Sequence, residues 1–258
     1  MSEMSKQGVI DLFGGTMHDT SRLLYPETTE SVESRVITAF TRLKSLGNVA
    51  LVDGAFDVPH DNHEWYLRHC KFLGVQAALL AQYDANLTAS QLQTLLQTDP
   101  SASQVANLAV TVDADSKIAA KKSGLAHKGG VPRPIYPWEA RASRLAGYHY
   151  QLAGKLRQTV DLVTVEGDPL HVGTPLESSL TLADFLNRQG LLDTFIVFGE
   201  HSRTVDEARE LGLNPAVIDD QTGYAVNPQT GQPYGSSEII ARAQGQPVAN
   251  PITRPVGL

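Results

Sequence analysis

The sequence predicts an α/β protein: a doubly wound, parallel, five-stranded sheet preceded by a helical extension. Three observations predict it. Short apolar runs at Val49 to Phe56, Val105 to Val112, Val160 to Val165, Phe195 to Phe198 and Ala216 to Ile218 read as buried strands. Segments with a helical apolar period lie between them, the alternation that favours a parallel sheet with helices on both faces. A glycine turn with two histidines, Gly54 to His63, follows the first of these strands. In such sheets ligands sit beyond the carboxyl ends of the strands, where the strand order reverses.

Taken in order, residues 1–48 read as an N-terminal extension packed on the main domain, with a short strand at Val9 to Phe13 and a helix from Thr28 to Leu46. That helix carries Val32, Val36, Ile37, Phe40, Leu43 and Leu46 at helical spacing, and Gly47-Asn48 supplies its stop. The main domain spans 49–243. After its first strand, Asn62 to Leu80 reads as a helix with Trp65, Leu67, Phe72 and Leu73 available for packing. Residues 86–103 are polar and read as an insertion with one amphipathic piece, Ser90 to Leu96. Beyond the second strand, Pro137 to Leu152 reads as a helix with proline in its first turn, where the missing amide hydrogen costs nothing. Helices at Leu182 to Gln189 and Val205 to Leu211 follow the third and fourth strands, and a last helix is expected from about Ser237 to Ala243. The tail, 244–258, carries Pro247, Pro251 and Pro255 and is expected to be extended.

Composition narrows the function. With 258 residues, 41% of them hydrophobic and 19% charged, the chain has the make-up of a soluble globular protein with a substantial core. A formal net charge of -7 argues against nucleic acid as a partner, because non-specific binding to phosphate backbones depends on clustered Lys and Arg. No apolar run approaches the ~20 residues of a membrane span, and the start, Met1-Ser2-Glu3-Met4, lacks the basic and apolar regions of a signal peptide. The single cysteine, Cys70, excludes an intrachain disulfide and fits a reducing cytoplasm; in its helical setting it reads as a small buried hydrophobe. The expectation is therefore a cytoplasmic protein that binds neither nucleic acid nor membrane.

The turn carries the chemistry. Gly54 lets the chain reverse and brings backbone amides close to a bound anion, and amides at a helix start favour negative charge. His60 and His63, three residues apart, project on the same side of the first helical turn. Two imidazoles donating to one phosphoryl group would stabilise charge that grows during attack at phosphorus. A solvated helix start with incidental histidines is the alternative reading of the pair.

The residues Gly54-Ala55-Phe56-Asp57-Val58-Pro59-His60-Asp61-Asn62-His63 resemble the signature of the cytidylyltransferase-like nucleotidyltransferases, Gly-x-Phe-Asp-x-x-His-x-Gly-His. Two further blocks in the family order strengthen the resemblance. Val112 to Lys117 with Arg133-Pro134-Ile135-Tyr136-Pro137-Trp138-Glu139-Ala140-Arg141 is similar to the second-strand exit and the Arg-Pro-Ile-x-Pro-x-x-x-Arg segment. Tyr234-Gly235-Ser236-Ser237-Glu238-Ile239-Ile240-Ala241-Arg242 is similar to a late block of the heptose-phosphate and glycerol-phosphate members. The resemblance implies a Rossmann-like fold of the HIGH type and transfer of a nucleotide from CTP or ATP to a sugar or polyol phosphate, with Mg²⁺ accompanying the triphosphate. It implies that His60 and His63 act at the α-phosphorus, and that Gly54, Ala55 and Phe56 offer backbone to the nucleotide. It implies that Ser236 and Ser237 hold the outer phosphates, a role compatible with plain helix capping. Arg133, Arg141, Gly199 and Glu200 join the nucleotide-binding set by their matched positions. Asp57 would orient acceptor or metal, or simply cap the turn; Arg141 is alternatively a surface ion-pair residue. Lys121, Lys122 and Lys128 are placed on a Gly-rich loop, either over the phosphates or solvated. No residue set with the make-up of a dedicated metal cage is visible, and the family habit implies a homodimer.

The departures are specific. Asn62 occupies the glycine position of the signature, Gly235 replaces a hydroxyl residue, and Glu238 adds a carboxylate near the expected phosphate site. Phe198-Gly199-Glu200-His201 stands where sugar-phosphate members often carry Lys-Gly-x-Asp. These changes motivate an alternative: a catalytically impaired nucleotide-binding regulatory module of the same fold. A dinucleotide-dependent oxidoreductase is disfavoured because Gly-x-Gly-x-x-Gly is missing after the first strand.

Overall fold

The strand that precedes the glycine turn lies in the middle of the sheet, and the rest of the fold is arranged about it. The computed structural model describes residues 23–24, 31–83, 88–122, 133–152, 154–199, 203–218, 225–226 and 252–253. In chain order the elements are β1 (Leu23–Leu24), α1 (Val32–Leu46), β2 (Asn48–Gly54), α2 (Asp61–Tyr83), α3 (Ala89–Thr98), β3 (Ala106–Asp113), α4 (Asp115–Lys122) and α5 (Trp138–Ala146). They continue with β4 (His149–Leu152), β5 (Lys155–Gln158), β6 (Leu162–Glu166), α6 (Ser179–Arg188), β7 (Thr194–Phe198), α7 (Arg203–Glu210), β8 (Ala216–Ile218), β9 (Ala225–Val226) and β10 (Ile252–Thr253).

The main sheet has the order β1-β6-β3-β2-β7-β8, with every neighbouring pair parallel. From β2 the chain winds outward through β3 and β6 on one side, then returns to add β7 and β8 on the other. The order therefore reverses between β2 and β7. This is a Rossmann-like arrangement, with Val52 level with Val110 on one flank and Ile196 on the other.

Strand periodicity explains the layers. Along β2, Ala50 and Val52 face a core shared with Leu67 and Cys70 of α2 and Ala142 and Leu145 of α5. Val49 and Leu51 face the opposite core, with Val36 and Phe40 of α1, Leu182 and Leu186 of α6 and Val205 of α7. Side chains alternate faces because the strand repeat is two residues. Each fully buried Leu, Val or Phe contributes about 1.5–3 kcal/mol relative to exposure, so these two layers set the sheet's position. The helix of the N-terminal extension is thus part of one core layer, its start capped by Ser31, whose side chain accepts from the Ser34 amide.

Several elements differ from expectation. The sheet has six strands, because the two-residue β1 pairs with β6 at the edge. The helix read from Pro137 to Leu152 ends at Ala146, and residues 149–152 and 155–158 pair antiparallel as the β4–β5 hairpin. Tyr148, Tyr150 and Leu152 carry a strand period that continued the apolar pattern of the preceding helix. Lys121 lies on helix α4, not on a loop. The 86–103 insertion holds α3, closed by a reciprocal Thr88–Gln91 capping box. Leu92 and Leu96 pack it against Val75 and Leu79 of α2. The strand expected at Val9 to Phe13 and the helix from Ser237 lie outside the described residues. No described helix is long and apolar enough to cross a membrane.

Candidate functional site

β2 delivers the chain to the carboxyl edge of the sheet beside the reversal of strand order, and α2 starts there. His60 stands just ahead of α2, its carbonyl accepting the amides of His63 at 2.9 Å and Glu64 at 3.1 Å. The two imidazoles stack, with ring centroids 3.8 Å apart and planes inclined by 27°. The spacing of three residues predicts this placement, and the structure brings the rings into direct contact. Nε2 of His60 is buried and makes no hydrogen bond among the described residues. Burial holds His60 down to about 4 from an ordinary 6.5, opposed by the nearby Asp61 carboxylate. At neutral pH it is a neutral imidazole, which still has one N–H to donate.

Phe56 sets the shape of the turn. It has a positive φ of 43°, in the left-handed region that side-chain-bearing residues seldom occupy. Its ring is buried and meets His63 edge-on at 5.2 Å between centroids. A Cβ at Gly54 would stand 2.8 Å from Cε2 of that ring. Gly54 is therefore required for the close packing of Phe56 beneath it, in addition to any approach of backbone to a ligand.

Two arginines tie the segment at 133–141 to this turn. Asp57 is buried; its carboxylate pairs with Nε of Arg133 and accepts the Ile135 amide at 2.7 Å. The Asp57 carboxylate thus holds the 133–135 segment rather than capping its own turn. Nη2 of Arg133 is buried with no hydrogen-bond partner among the described residues. Arg141 is fully buried, which corrects the reading of a surface ion pair. Its guanidinium donates to the carbonyls of Ala55, Tyr136 and Asp113 and pairs with Asp115 at 2.7 Å. Arg141 shapes the turn from below.

Sequence reasoning missed a second group of charges at the same edge. Asp53 is the penultimate residue of β2, level with Thr111 of β3 and near enough to feel the Asp113 carboxylate, and Asp113 is level with Glu166 of β6. Lys117 of α4 pairs with Asp113 at 2.6 Å and with Glu166, and Lys121 reaches Asp113 at 3.1 Å. Burial raises Glu166 to about 7, reinforced by the Asp53 carboxylate and opposed by Lys117. Burial and Asp113 likewise raise Asp53. Asp113 is lowered, because Lys117 and Lys121 together outweigh its own burial. Three carboxylates thus face two ammonium groups at this edge, and burial together with like charge is what raises Glu166 and Asp53. The i, i+4 spacing of Asp113 and Lys117 was the one local signal for this cluster.

Gly199 follows β7 at the same edge, with its amide donating to the Ile218 carbonyl at 2.9 Å. Asn62, at the signature's glycine position, is buried. Glu200, Ser236 and Ser237 lie outside the described residues, as do Gly235 and Glu238. No group of three or more His, Cys, Asp or Glu among the described residues has the geometry to hold a metal ion.

Nε2 of His60 and Nη2 of Arg133 are thus both buried and without hydrogen-bond partners among the described residues. A guanidinium N–H, and an imidazole nitrogen in the tautomer that carries the hydrogen, suit phosphoryl oxygens. No protein-family model matches the chain, and no curated protein matches it.

Proposed function

We propose that the protein is a nucleotidyltransferase that joins a nucleotide from CTP or ATP to a phosphorylated small molecule of the sugar or polyol class. One observation carries this reading. The stacked His60–His63 pair sits at the start of α2, just past the central strand and beside the reversal of strand order, with donors from His60 and Arg133 that find no acceptor among the described residues. The three sequence blocks resembling the cytidylyltransferase-like family support it independently.

In this reaction a phosphate oxygen of the acceptor attacks the α-phosphorus of the triphosphate. A new P–O bond forms, the bond to the β-phosphate bridge breaks, and pyrophosphate leaves with the electron pair. Catalysis of this kind is positioning and charge stabilisation rather than covalent participation. His60 and His63 donate to oxygens that gain charge at the α-phosphorus, in a site low enough in dielectric to strengthen those bonds. Arg133, held by Asp57, offers Nη2 to the same polyphosphate. Arg141 keeps the Ala55 carbonyl turned inward, so the backbone from Gly54 to Phe56 retains its shape. Mg²⁺ enters with the triphosphate, as part of the substrate. A homodimer belongs to the same reading.

The test is a pyrophosphate-release screen with Mg²⁺, each nucleoside triphosphate and a panel of sugar and polyol phosphates. Release that disappears in His60→Ala and His63→Ala supports the reading; no release with any combination overturns it. A second reading, a nucleotide-binding module without turnover, is favoured by the engagement of Asp57 with Arg133 and Ile135, which leaves that carboxylate unavailable to an acceptor. That module would show triphosphate-dependent thermal stabilisation, about 2.7 kcal/mol at a hundredfold excess over Kd, with no pyrophosphate formed.

A further inference from the structure

We infer that Phe198 forms one wall of the ligand cleft and that the ligand group it faces is a flat or apolar ring, not a phosphate. The inference rests on the nucleotidyl-transfer reading for the location of the ligand.

Phe198 is the last residue of β7, the strand across the reversal from β2. The four residues before it, Thr194 to Val197, are buried, whereas Phe198 is 42% exposed. Val52 is level with Ile196, so Phe198 stands two residues beyond that pair, at the carboxyl edge where the turn with the imidazoles begins. The ring has a fixed place. It meets Tyr66 edge-on, with centroids 5.7 Å apart and planes at 90°. Tyr66 is itself buried and lies one helical turn after His63 on α2. At the next residue, Gly199, whose φ is +87°, an added Cβ would meet no atom within 4 Å among the described residues beyond its chain neighbours.

A phenyl ring has no hydrogen to give a phosphoryl oxygen, and it excludes the water that would otherwise solvate the anion. An anion seated against Phe198 would lose solvation without compensation. A planar ring loses little and gains stacking, the interaction by which aromatic side chains hold bases irrespective of their hydrogen-bonding edges. The ring comes either from the nucleobase or from the acceptor, and binding measurements separate the two.

The experiment uses the full chain as wild type, Phe198→Ala and Phe198→Leu. Calorimetric Kd values are measured for ATP, CTP, inorganic tripolyphosphate, phenyl phosphate and glycerol 3-phosphate. Phe198→Ala is expected to weaken a ring-bearing ligand roughly tenfold or more, as loss of a stacking partner does, while tripolyphosphate and glycerol 3-phosphate are unchanged. Weakening confined to ATP or CTP assigns the ring to the nucleobase; weakening of phenyl phosphate assigns it to the acceptor. Phe198→Leu, which keeps apolar bulk but removes the π-face, is expected to show an intermediate loss and reports that the strand end remains folded. The inference is overturned if no ring-bearing ligand binds wild type, if none is weakened, or if tripolyphosphate weakens equally. Failure of tripolyphosphate to bind wild type, or indifference of that binding to His60→Ala, sinks the nucleotidyl-transfer reading instead, and the ring-bearing probes still report on Phe198.

Discussion

Nη1 of Arg141 donates to the carbonyl of Ala55, and the residue after that carbonyl, Phe56, is the one non-glycine with a positive φ among the described residues. The two facts are linked through one peptide unit. Drawing the Ala55 carbonyl inward turns the following peptide, and Phe56 then enters the left-handed region with its ring beneath Gly54 and against His63. A buried guanidinium on α5 thereby influences the imidazole pair on α2.

Arg141→Met removes four hydrogen-bonding interactions and leaves Asp115 and three carbonyls without their donor. We expect a loss of about 3 kcal/mol or more in denaturant-monitored unfolding, since an unsatisfied buried polar group costs about 1–3 kcal/mol and three carbonyls lose their donor, whereas Asp115 is 41% exposed and adds little. Arg141→Lys should recover only part of it, because an ammonium cannot reproduce the guanidinium fork. A loss below about 1 kcal/mol for the methionine variant would refute this account.

Gly54→Ala places a methyl group 2.8 Å from Cε2 of Phe56. The ring cannot stay, and overpacking of this kind costs about 1–3 kcal/mol. Because the obstruction is the ring itself, Phe56→Leu in the Gly54→Ala background should restore part of the stability lost. A double-mutant cycle reads this coupling directly; additive effects would show that the two sites are independent.

His60 makes stability depend on pH in a defined direction. Its folded value of about 4 lies below the ordinary 6.5, so between these values the unfolded chain binds the extra proton. Stability therefore falls as pH drops from 6.5 towards 4, by at most about 3 kcal/mol. His60→Gln should flatten unfolding free energy over that window. Bound tripolyphosphate should raise the His60 titration, measured by imidazole proton shifts; an unchanged value in its presence would separate His60 from the anion.

Glu166 acts in the opposite sense. Its folded value of about 7 lies above the ordinary 4.5, so the folded state holds the proton between the two. Stability on this account is greatest below 4.5 and is lost as pH rises through 7. Glu166→Gln should remove that decline in unfolding free energies recorded from pH 4.5 to 7.5. Lys117→Met should extend it to higher pH, since Lys117 is the cation shared by Asp113 and Glu166. An unchanged slope in both variants would show that the proton resides elsewhere.

Much of this protein was written locally. Apolar period located the strands of the sheet from 49 to 218 and most of its helices, because which face is buried repeats every two residues in a strand and every 3.6 in a helix. The glycine turn and the paired histidines were equally legible, since three residues is one helical turn. The β4–β5 hairpin was not, because its alternating apolar residues continued the helix pattern without a break.

Other features were settled by the assembled sheet alone. Residues 53, 113 and 166 are distant in sequence, and only the parallel order β2, β3, β6 sets their carboxylates at one edge. The burial of Arg141 and the meeting of Phe198 with Tyr66 depend likewise on which helix packs over which strand end. Local spacing records the side a residue faces; its neighbours across the sheet follow from the strand order, which the packing of both helical layers selects.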